Sequence, residues 1–293
     1  MLKGRLGLET ARIPQVDRHG LMWLGRGNLT VDYGTLRFTT AGTDDLPSGE
    51  YAIPFQMVSC FLLEPGTTVS HDALRLLARH GCGMVAVGQG GVRFYASLPA
   101  GPDTSIRARR QAEAWADHGR RIHVVRRMYA WRLGELLPPT DLDALRGIEG
   151  ARMKATYKRL AEQYGIDWDG RRYDRAAPQA ADLPNQAINH ASSAVQAAAL
   201  VAVAVSGAIP QLGFIHEDSG IAFALDVADL YRDSILLPVA FEGVGSFLRD
   251  PSRPLERHVR GLANRRFRKE QLIPSMIDRV KELFDADDGG GHP

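Results

Sequence analysis

Three acidic residues and one histidine stand where burial of a polar side chain would be costly unless it served a purpose. Glu149 lies between Gly147 and Gly150 inside a helical pattern. A glycine there costs a helix roughly 1 kcal/mol relative to alanine, so the close approach of another molecule would explain this pair. His216 follows the apolar pair Phe214-Ile215 and precedes a turn.

The other two acidic residues, Asp226 and Asp229, follow the apolar run 221–225. The pattern predicts a helix over 226–248, and residues three apart on a helix share a face with side chains about 5–6 Å apart. We expect both carboxylates near the start of this helix, where its dipole favours negative charge. Asp226 is a candidate for the N-cap.

Together these four side chains offer one nitrogen donor and several carboxylate oxygens. That set suits Mn²⁺ or Mg²⁺, and suits Zn²⁺ less because thiolates are missing from it. A divalent cation would offset the repulsion between the carboxylates and phosphate, and would stabilise the leaving oxygen in phosphoryl transfer on nucleic acid. Spacing alone leaves a second interpretation open, because Asp-x-x-Asp on a helix is commonly only terminal charge and a lone histidine is commonly structural.

Composition indicates an ordinary globular protein. The chain has 293 residues, of which 44% are hydrophobic and 24% charged, and a net charge of +2. Positive charge is concentrated in 105–132 and 249–270, a distribution that favours a polyanion partner, although solvated helix faces are the equal alternative. Cys60 and Cys82 lie in apolar runs and are interpreted as core residues. No signal peptide or span of roughly 20 apolar residues is evident, which predicts a protein outside the membrane and located in the cytoplasm.

The elements that must position the site change character along the chain. Short strands, a hairpin at Asp32-Tyr33-Gly34 and a helix capped by Ser70 predict a small N-terminal β domain over 1–98. A Pro/Gly linker covers 99–104, an all-α domain covers 105–284, and an acidic, glycine-rich tail over 285–293 is predicted to be disordered. The predicted helices are 105–136, 141–164, 184–206, 226–248, 254–266 and 271–285. The expected fold class is therefore α+β.

At these same residues the sequence resembles the CRISPR-associated spacer-acquisition integrases of the type I-E branch. The similar blocks follow one another in the family's order from about Leu21 to Ile277, which makes them more specific than any single motif. They are 63–71, 91–97, 146–152, 163–165, 170–174, 213–216, 226–230 and 257–260. The fold implied by the resemblance, a β domain followed by a larger helical domain, agrees with the one predicted from the patterns.

The resemblance also implies roles for individual residues. The family's metal-binding glutamate, histidine and aspartate correspond to Glu149, His216 and Asp229, and Mg²⁺ or Mn²⁺ is the implied ion. Asp226 corresponds to a neighbouring catalytic aspartate, whose role as ligand of a second ion or as proton acceptor stays open. The basic residues that hold DNA correspond to Arg93, Arg257 and Arg260.

Two tyrosine positions bear on the mechanism that the resemblance implies. Tyr173 corresponds to a tyrosine near the active site that contacts DNA, with packing against its loop as the equal alternative. Where the family can carry a further active-site tyrosine, this chain has Gln196. That departure favours purely metal-assisted chemistry over a tyrosine-recombinase mechanism.

The implied activity is insertion of a prespacer into the CRISPR array, in which a 3′-hydroxyl attacks a phosphodiester at the repeat edge. The implied partners are double-stranded DNA, a second copy of the chain, and a small ferredoxin-like CRISPR-associated protein. Two homodimers of this chain are expected to assemble with a dimer of that small protein. Two alternatives remain: a metal-dependent nuclease of branched or single-stranded DNA in repair, and a non-catalytic DNA-binding scaffold. Arg107, Arg109 and Arg110 are further DNA-binding candidates, with helix packing as the alternative.

Overall fold

The structure, a computed structural model, describes residues 20–43, 46–97, 105–135, 141–172 and 181–285. The chain divides into two compact units, one formed by Met1–Val87 with Tyr95–Ser105 and the other by Gly88–Phe94 with Ile106–Pro293. We call them the β unit and the helical unit. Apart from one α-helix at His71–Arg79, the described strands precede the described α-helices along the chain, in agreement with the predicted α+β class. The predicted linker 99–104, the tail beyond Asp285 and Tyr173 lie outside the described residues.

The β unit contains two four-stranded sheets, ordered β1-β5-β7-β8 and β4-β3-β2-β6. The strands are β1 (Gly20–Leu24), β2 (Gly27–Asp32), β3 (Thr35–Thr40), β4 (Gly49–Ile53), β5 (Val58–Leu63), β6 (Thr67–Val69), β7 (Gly83–Val87) and β8 (Phe94–Ser97). In the first sheet β5 pairs in parallel with β1 and β7. In the second, β3 is antiparallel to β2 and β4, whereas β6 is parallel to β2.

Two local predictions in the β unit are confirmed. The hairpin between β2 and β3 turns at Tyr33 and Gly34, whose φ angles are 46° and 76°. Two consecutive positive φ angles are the geometry of a two-residue turn that matches strand twist. Helix α1 (His71–Arg79) begins at Ser70, whose hydroxyl accepts a hydrogen bond from the Ala73 N–H at 3.2 Å.

The helical unit contains α2 (Ile106–Ala116), α3 (His118–Leu133), α4 (Leu142–Tyr164), α5 (Leu183–Ser206), α6 (Ala222–Asp229), α7 (Leu237–Arg249), α8 (Leu255–Lys269) and α9 (Leu272–Asp285). The predicted helix 105–136 is interrupted because the Asp117 carboxylate caps α3 by accepting a hydrogen bond from the Arg120 N–H at 2.7 Å. The predicted helix 226–248 is also wrong in its bounds. It begins earlier, at Ala222, and a π-helical turn over Arg232–Leu236 separates α6 from α7.

Helix α5 is the centre of the helical unit and packs against α6, α7, α8 and α9. Most of its apolar residues are buried, including Ile188 and Val201 with no exposed surface. By length and composition it is the one described helix that could cross a membrane. Its burial among four other helices is typical of the core helix of a globular protein.

The segment Gly88–Phe94 lies with the helical unit, although the sequence places it in the N-terminal β domain. The backbone of Gly90, at φ 67°, passes so close to Asn264 of α8 that an added Cβ would overlap the asparagine side chain. The absence of a side chain at Gly90 therefore lets this segment pack on α8, and it carries Arg93 into the helical unit.

Candidate functional site

The four residues predicted to form the catalytic and metal-binding site lie in the helical unit. Glu149 lies within α4, Asp226 lies within α6, and Asp229 is the last residue of α6. His216 lies in the loop between α5 and α6. The structure therefore brings three separate segments of the chain to one place, and the contacts that hold each segment determine the geometry of the site.

The Asp226 carboxylate is fully buried and holds the loop that carries His216. Its Oδ2 accepts hydrogen bonds from the backbone N–H groups of Phe214 at 2.6 Å and Ile215 at 3.1 Å. Its Oδ1 accepts one from the backbone N–H of His216 at 2.9 Å and lies 2.7 Å from the Nδ1 of the same residue. Four polar partners offset the cost of burying this charge.

The bounds of α6 correct two expectations about Asp226 and Asp229. Asp226 is not an N-cap, because α6 begins at Ala222 and places Asp226 in its interior. The dipole argument also fails, since Asp229 ends the helix, where the dipole disfavours negative charge. The two implied roles of Asp226, ligand of a second ion or proton acceptor, stay predictions. In the structure its carboxylate has 0% exposure and positions His216.

The opposite side of the loop is held through its carbonyl groups. Trp115 Nε1 donates to the Gly213 carbonyl at 2.9 Å, and Arg121 Nη2 donates to the Phe214 carbonyl at 3.1 Å. Arg146 of α4 donates to the Ile215 carbonyl. At Gly213 a Cβ would overlap the His216 carbonyl and Ala222, so a glycine is required for the loop to lie this close to α6.

His216 is oriented by its hydrogen bond to Asp226. Because Nδ1 faces Asp226, Nε2 faces outward and lies 4.0 Å from the Asp229 Oδ2. The hydrogen bond from Asp226 raises the pKa of His216, and this outweighs the opposing effect of burial. The protonated pair stabilises the fold most at pH values below the ordinary pKa of histidine, and that contribution is lost as the pH rises through the raised pKa.

Arg132, at the end of α3, bridges Glu149 and Asp229. Its Nη2 lies 2.7 Å from Glu149 Oε1 and 3.9 Å from the Oδ1 of Asp233, and its Nη1 lies 4.0 Å from Asp229 Oδ2. Burial, followed by the negative charge of Glu149, raises the pKa of the neighbouring Tyr129 to about 12. The Tyr129 hydroxyl is therefore protonated at neutral pH.

Asp229 has a second basic partner in Arg232, which begins the π-helical turn. Arg232 donates to Asp229 Oδ1 from Nη2 at 2.6 Å and from Nε at 3.1 Å. Its Nη1 donates to the Tyr157 hydroxyl at 3.3 Å. π-Helical turns frequently occur at functional sites, and this one places Arg232 and Asp233 directly after Asp229.

Sequence reasoning missed Arg132, Arg232 and Asp233. Arg232 and Asp233 stand three and four positions after Asp229, a spacing that would place all three on one helical face. That signal could have identified them. Arg132 has no such signal, because it is distant along the chain from every acidic residue it contacts.

The donor set fits a divalent cation, but its members do not close around one position. His216 Nε2 and Asp229 Oδ2 are 4.0 Å apart, which is too long for a direct hydrogen bond. Within the described ranges, no three histidine, cysteine, aspartate or glutamate side chains converge tightly enough to enclose a metal ion as they stand. Between Glu149 and Asp229 the structure holds the guanidinium of Arg132 instead.

The predicted DNA-binding residues that the structure describes lie on or beside α8. Glu256 Oε1 accepts from Arg93 Nη2 at 2.5 Å and also from Arg260. Arg257 lies on the same helix and is exposed. One carboxylate thus fixes two of the three candidate arginines side by side. His190 of α5 lies near this cluster, and its pKa is lowered by burial.

For Arg107 and Arg110 the structure supports the packing alternative. Arg107 donates to the Asp285 carboxylate from Nε and Nη2 and to the Ser206 carbonyl from Nη1 at 2.7 Å. Arg110 Nη1 donates to the Phe284 carbonyl at 3.0 Å. Both side chains hold α2 to the end of α9, whereas Arg109 is exposed.

Asp226→Asn tests how the loop is held. The new amide places N–H groups against backbone N–H donors, and each buried group left without a partner costs roughly 1–3 kcal/mol. We expect the free energy of unfolding to fall by about 2–4 kcal/mol. We also expect the pKa of His216 to fall. Denaturant unfolding and NMR titration measure the two quantities.

The control for that substitution is Asp218→Asn, because Asp218 is exposed in the same loop. It should leave both quantities unchanged. Wild-type stability together with a wild-type His216 pKa in Asp226→Asn would contradict the role assigned to Asp226.

Comparisons with known proteins identify the family. The family model for "CRISPR associated protein Cas1" matches residues 130–245, a range that contains Glu149, His216, Asp226 and Asp229. The CRISPR-associated endonuclease Cas1 of Escherichia coli (strain K12) is 36% identical over 275 residues, 94% of this chain and 87% of that protein. The protein of the same name from Geobacter sulfurreducens is 35% identical over 275 residues, with the same two coverages of 94% and 87%.

Solved structures agree with the sequence comparisons. The crystal structure of a TtCas1–DNA complex matches with a TM-score of 0.81 and 32% identity, over 92% of this chain and 97% of that chain. Sequence similarity and fold similarity therefore extend over nearly the whole chain. This chain belongs to the Cas1 family of CRISPR-associated proteins.

Proposed function

We propose that this chain is a metal-dependent DNA integrase of the type I-E branch, which inserts prespacers into a CRISPR array. The observation that carries the proposal is the placement of His216 Nε2 and Asp229 Oδ2 4.0 Å apart, with Glu149 linked to Asp229 through Arg132. Family membership supports the assignment, because relatives at 35% and 36% identity carry the name CRISPR-associated endonuclease. The crystal structure of a related Cas1 in complex with DNA supports DNA as the substrate.

Glu149, His216 and Asp229 would hold the ion, Mg²⁺ or Mn²⁺. When bound, the ion supplies polarisation of the scissile phosphoryl oxygen and offsets charge on the leaving oxygen. His216 contributes Nε2 because Asp226 occupies Nδ1, and such a carboxylate behind a ligating histidine fixes its ring orientation. Ligation requires the neutral imidazole, so the raised pKa of His216 weakens metal binding in acidic solution.

The reaction exchanges one phosphodiester for another. The prespacer 3′-hydroxyl oxygen forms a bond to a phosphorus at the repeat edge, while the bond from that phosphorus to the existing 3′ oxygen breaks. The attacking hydroxyl loses a proton and the displaced oxygen gains one. Because one phosphodiester forms for each one that breaks, no external energy source is consumed. The tyrosine position occupied here by Gln196 supplies no protein nucleophile, which is consistent with direct attack by DNA.

DNA would lie along the α8 surface that carries Arg93, Arg257 and Arg260. Arginine binds phosphate through paired N–H groups, and its preorganisation lowers the entropic cost of binding. Glu256 supplies that preorganisation for Arg93 and Arg260, but its charge also neutralises part of theirs. The surface should therefore bind DNA phosphates at defined positions, with moderate affinity.

Insertion into both strands requires two active sites at a fixed separation, and one chain supplies one set of ligands. We therefore expect a homodimer, with two dimers joined by a small ferredoxin-like CRISPR-associated partner. The apolar N-terminal strands of the β unit are the candidate dimer contact, and this unit exposes Met57 and Tyr95.

Joining of a labelled 3′-hydroxyl duplex to a supercoiled, repeat-bearing plasmid tests the function directly. With the partner protein and Mn²⁺, we expect His216→Ala and Asp229→Ala each to reduce joining by about 100-fold or more, as expected when an interaction with the transition state is lost. DNA binding should stay within about twofold of wild type, because neither residue belongs to the basic surface. Gel electrophoresis of label and plasmid measures joining.

Asp218→Ala is the matched control, since Asp218 is exposed in the loop of His216. It should join DNA normally. If the labelled DNA were shortened but not joined to the plasmid, the nuclease alternative, in which water is the nucleophile, would be favoured over integration. Normal spacer acquisition with His216→Ala would instead favour the scaffold.

Glu256→Gln tests the basic surface separately from the chemistry. The substitution releases Arg93 and Arg260 from a carboxylate, so we expect DNA to bind about two- to tenfold more tightly at low salt. The affinity should also fall more steeply with salt, by up to about 0.9 log unit per log unit of salt for each additional phosphate contacted. Fluorescence anisotropy across a salt series measures both.

The control is Glu282→Gln, which breaks the 2.8 Å pair with Arg279 on α9. It should change neither affinity nor salt dependence. If Glu256→Gln bound DNA as wild type does or more weakly, Arg93 and Arg260 would not be DNA-contacting residues.

A further inference from the structure

Arg132 is the most deeply buried charged side chain around the candidate site apart from Asp226. Its side chain is 4% exposed. Three carboxylates surround its guanidinium, those of Glu149 at 2.7 Å, Asp229 at 4.0 Å and Asp233 at 3.9 Å. Two of its nitrogens, Nε and Nη2, have no well-formed hydrogen bond, and the same is true of Asp233 Oδ1.

This arrangement is held by charge more than by hydrogen-bond geometry. A buried guanidinium is normally stabilised by carboxylates that bind it in a planar, paired manner. Here one close contact and two long ones join Arg132 to three carboxylates, of which Asp229 is also paired with Arg232. A position that is surrounded by carboxylates but poorly matched to a planar donor fits a spherical cation better than it fits a guanidinium.

We propose that Arg132 takes the place of the metal ion in the metal-free protein, so that a divalent cation must displace its guanidinium from Glu149. The inference rests on the proposed metal site at Glu149, His216 and Asp229. Arg132 is then a positioning residue. It offsets the repulsion between the carboxylates when no metal is bound, and it limits how tightly the site binds metal before DNA arrives.

The sign of the effect on metal affinity follows from electrostatics. Arginine stays charged at all ordinary pH values, so Arg132 keeps its positive charge near the site even after its guanidinium leaves Glu149. A positive charge a few ångströms from a divalent cation lowers its affinity by about tenfold or more, even with strong screening. A phosphodiester entering the site brings negative charge that lets the two cations coexist, which couples metal binding to DNA binding.

Mn²⁺ binding and thermal unfolding of the full chain without DNA test the proposal. We compare wild type with Arg132→Gln, which removes the charge, and Arg132→Lys, which keeps it. We expect Arg132→Gln to bind Mn²⁺ about tenfold more tightly than wild type, and Arg132→Lys to remain close to wild type. Metal-free Arg132→Gln should unfold several degrees lower, by about 4 °C or more, and saturating Mn²⁺ should restore it.

The control is Arg152→Gln, because Arg152 is a partly exposed arginine of α4 whose partner is Glu135. It should match wild type in both measurements. Mn²⁺ binding that is equal or weaker in Arg132→Gln, while Asp229→Ala abolishes binding, would overturn the inference and leave the proposed function standing. Aggregation of Arg132→Gln in saturating Mn²⁺ as well as without it would also overturn the inference, since a dication then cannot replace the guanidinium. If neither the wild type nor any variant bound Mn²⁺, the proposed metal site itself would be contradicted.

Discussion

The buried carboxylate of Asp226 is the contact on which the geometry of the site depends. It accepts three consecutive backbone N–H groups and the Nδ1 hydrogen bond of His216, and it does so from inside α6 with no exposure to solvent. One side chain therefore fixes both the path of the loop and the direction of the imidazole. Because α6 also ends in Asp229, the same helix positions the second candidate ligand relative to the first.

The electrostatics of the site follow from crowding acidic residues into a half-buried space. Asp229 is paired with Arg232, and Glu149 is paired with Arg132, so the chain supplies its own counter-charges to the site. Such pairing preserves the position of each carboxylate, but it costs metal affinity because any incoming cation meets positive charge. On this account the site is assembled by folding and is completed by metal and DNA together.

The sequence predicted those features whose causes are local. The Ser70 cap and the Tyr33–Gly34 turn depend on neighbouring residues, and both were found where expected. The start of α6 was misplaced because its N-cap residue, Ile221, makes no side-chain capping bond, and the helix packs against α5. The role of Asp226 and the presence of Arg132 could not be predicted, since both depend on contacts between segments that only tertiary structure brings together. The roles of Glu149, His216 and Asp229 came from family resemblance, and their spacing alone left them ambiguous.

The central claim is that one divalent ion is bound by Glu149, His216 and Asp229. The most direct measurement is the anomalous scattering of Mn²⁺ in crystals of the protein bound to DNA. The account predicts a single strong peak about 2.0–2.3 Å from His216 Nε2 and from a carboxylate oxygen of each acidic residue. It also predicts that the Arg132 guanidinium has moved away from Glu149. A peak that does not involve His216, or the absence of a peak with DNA bound, would contradict the account.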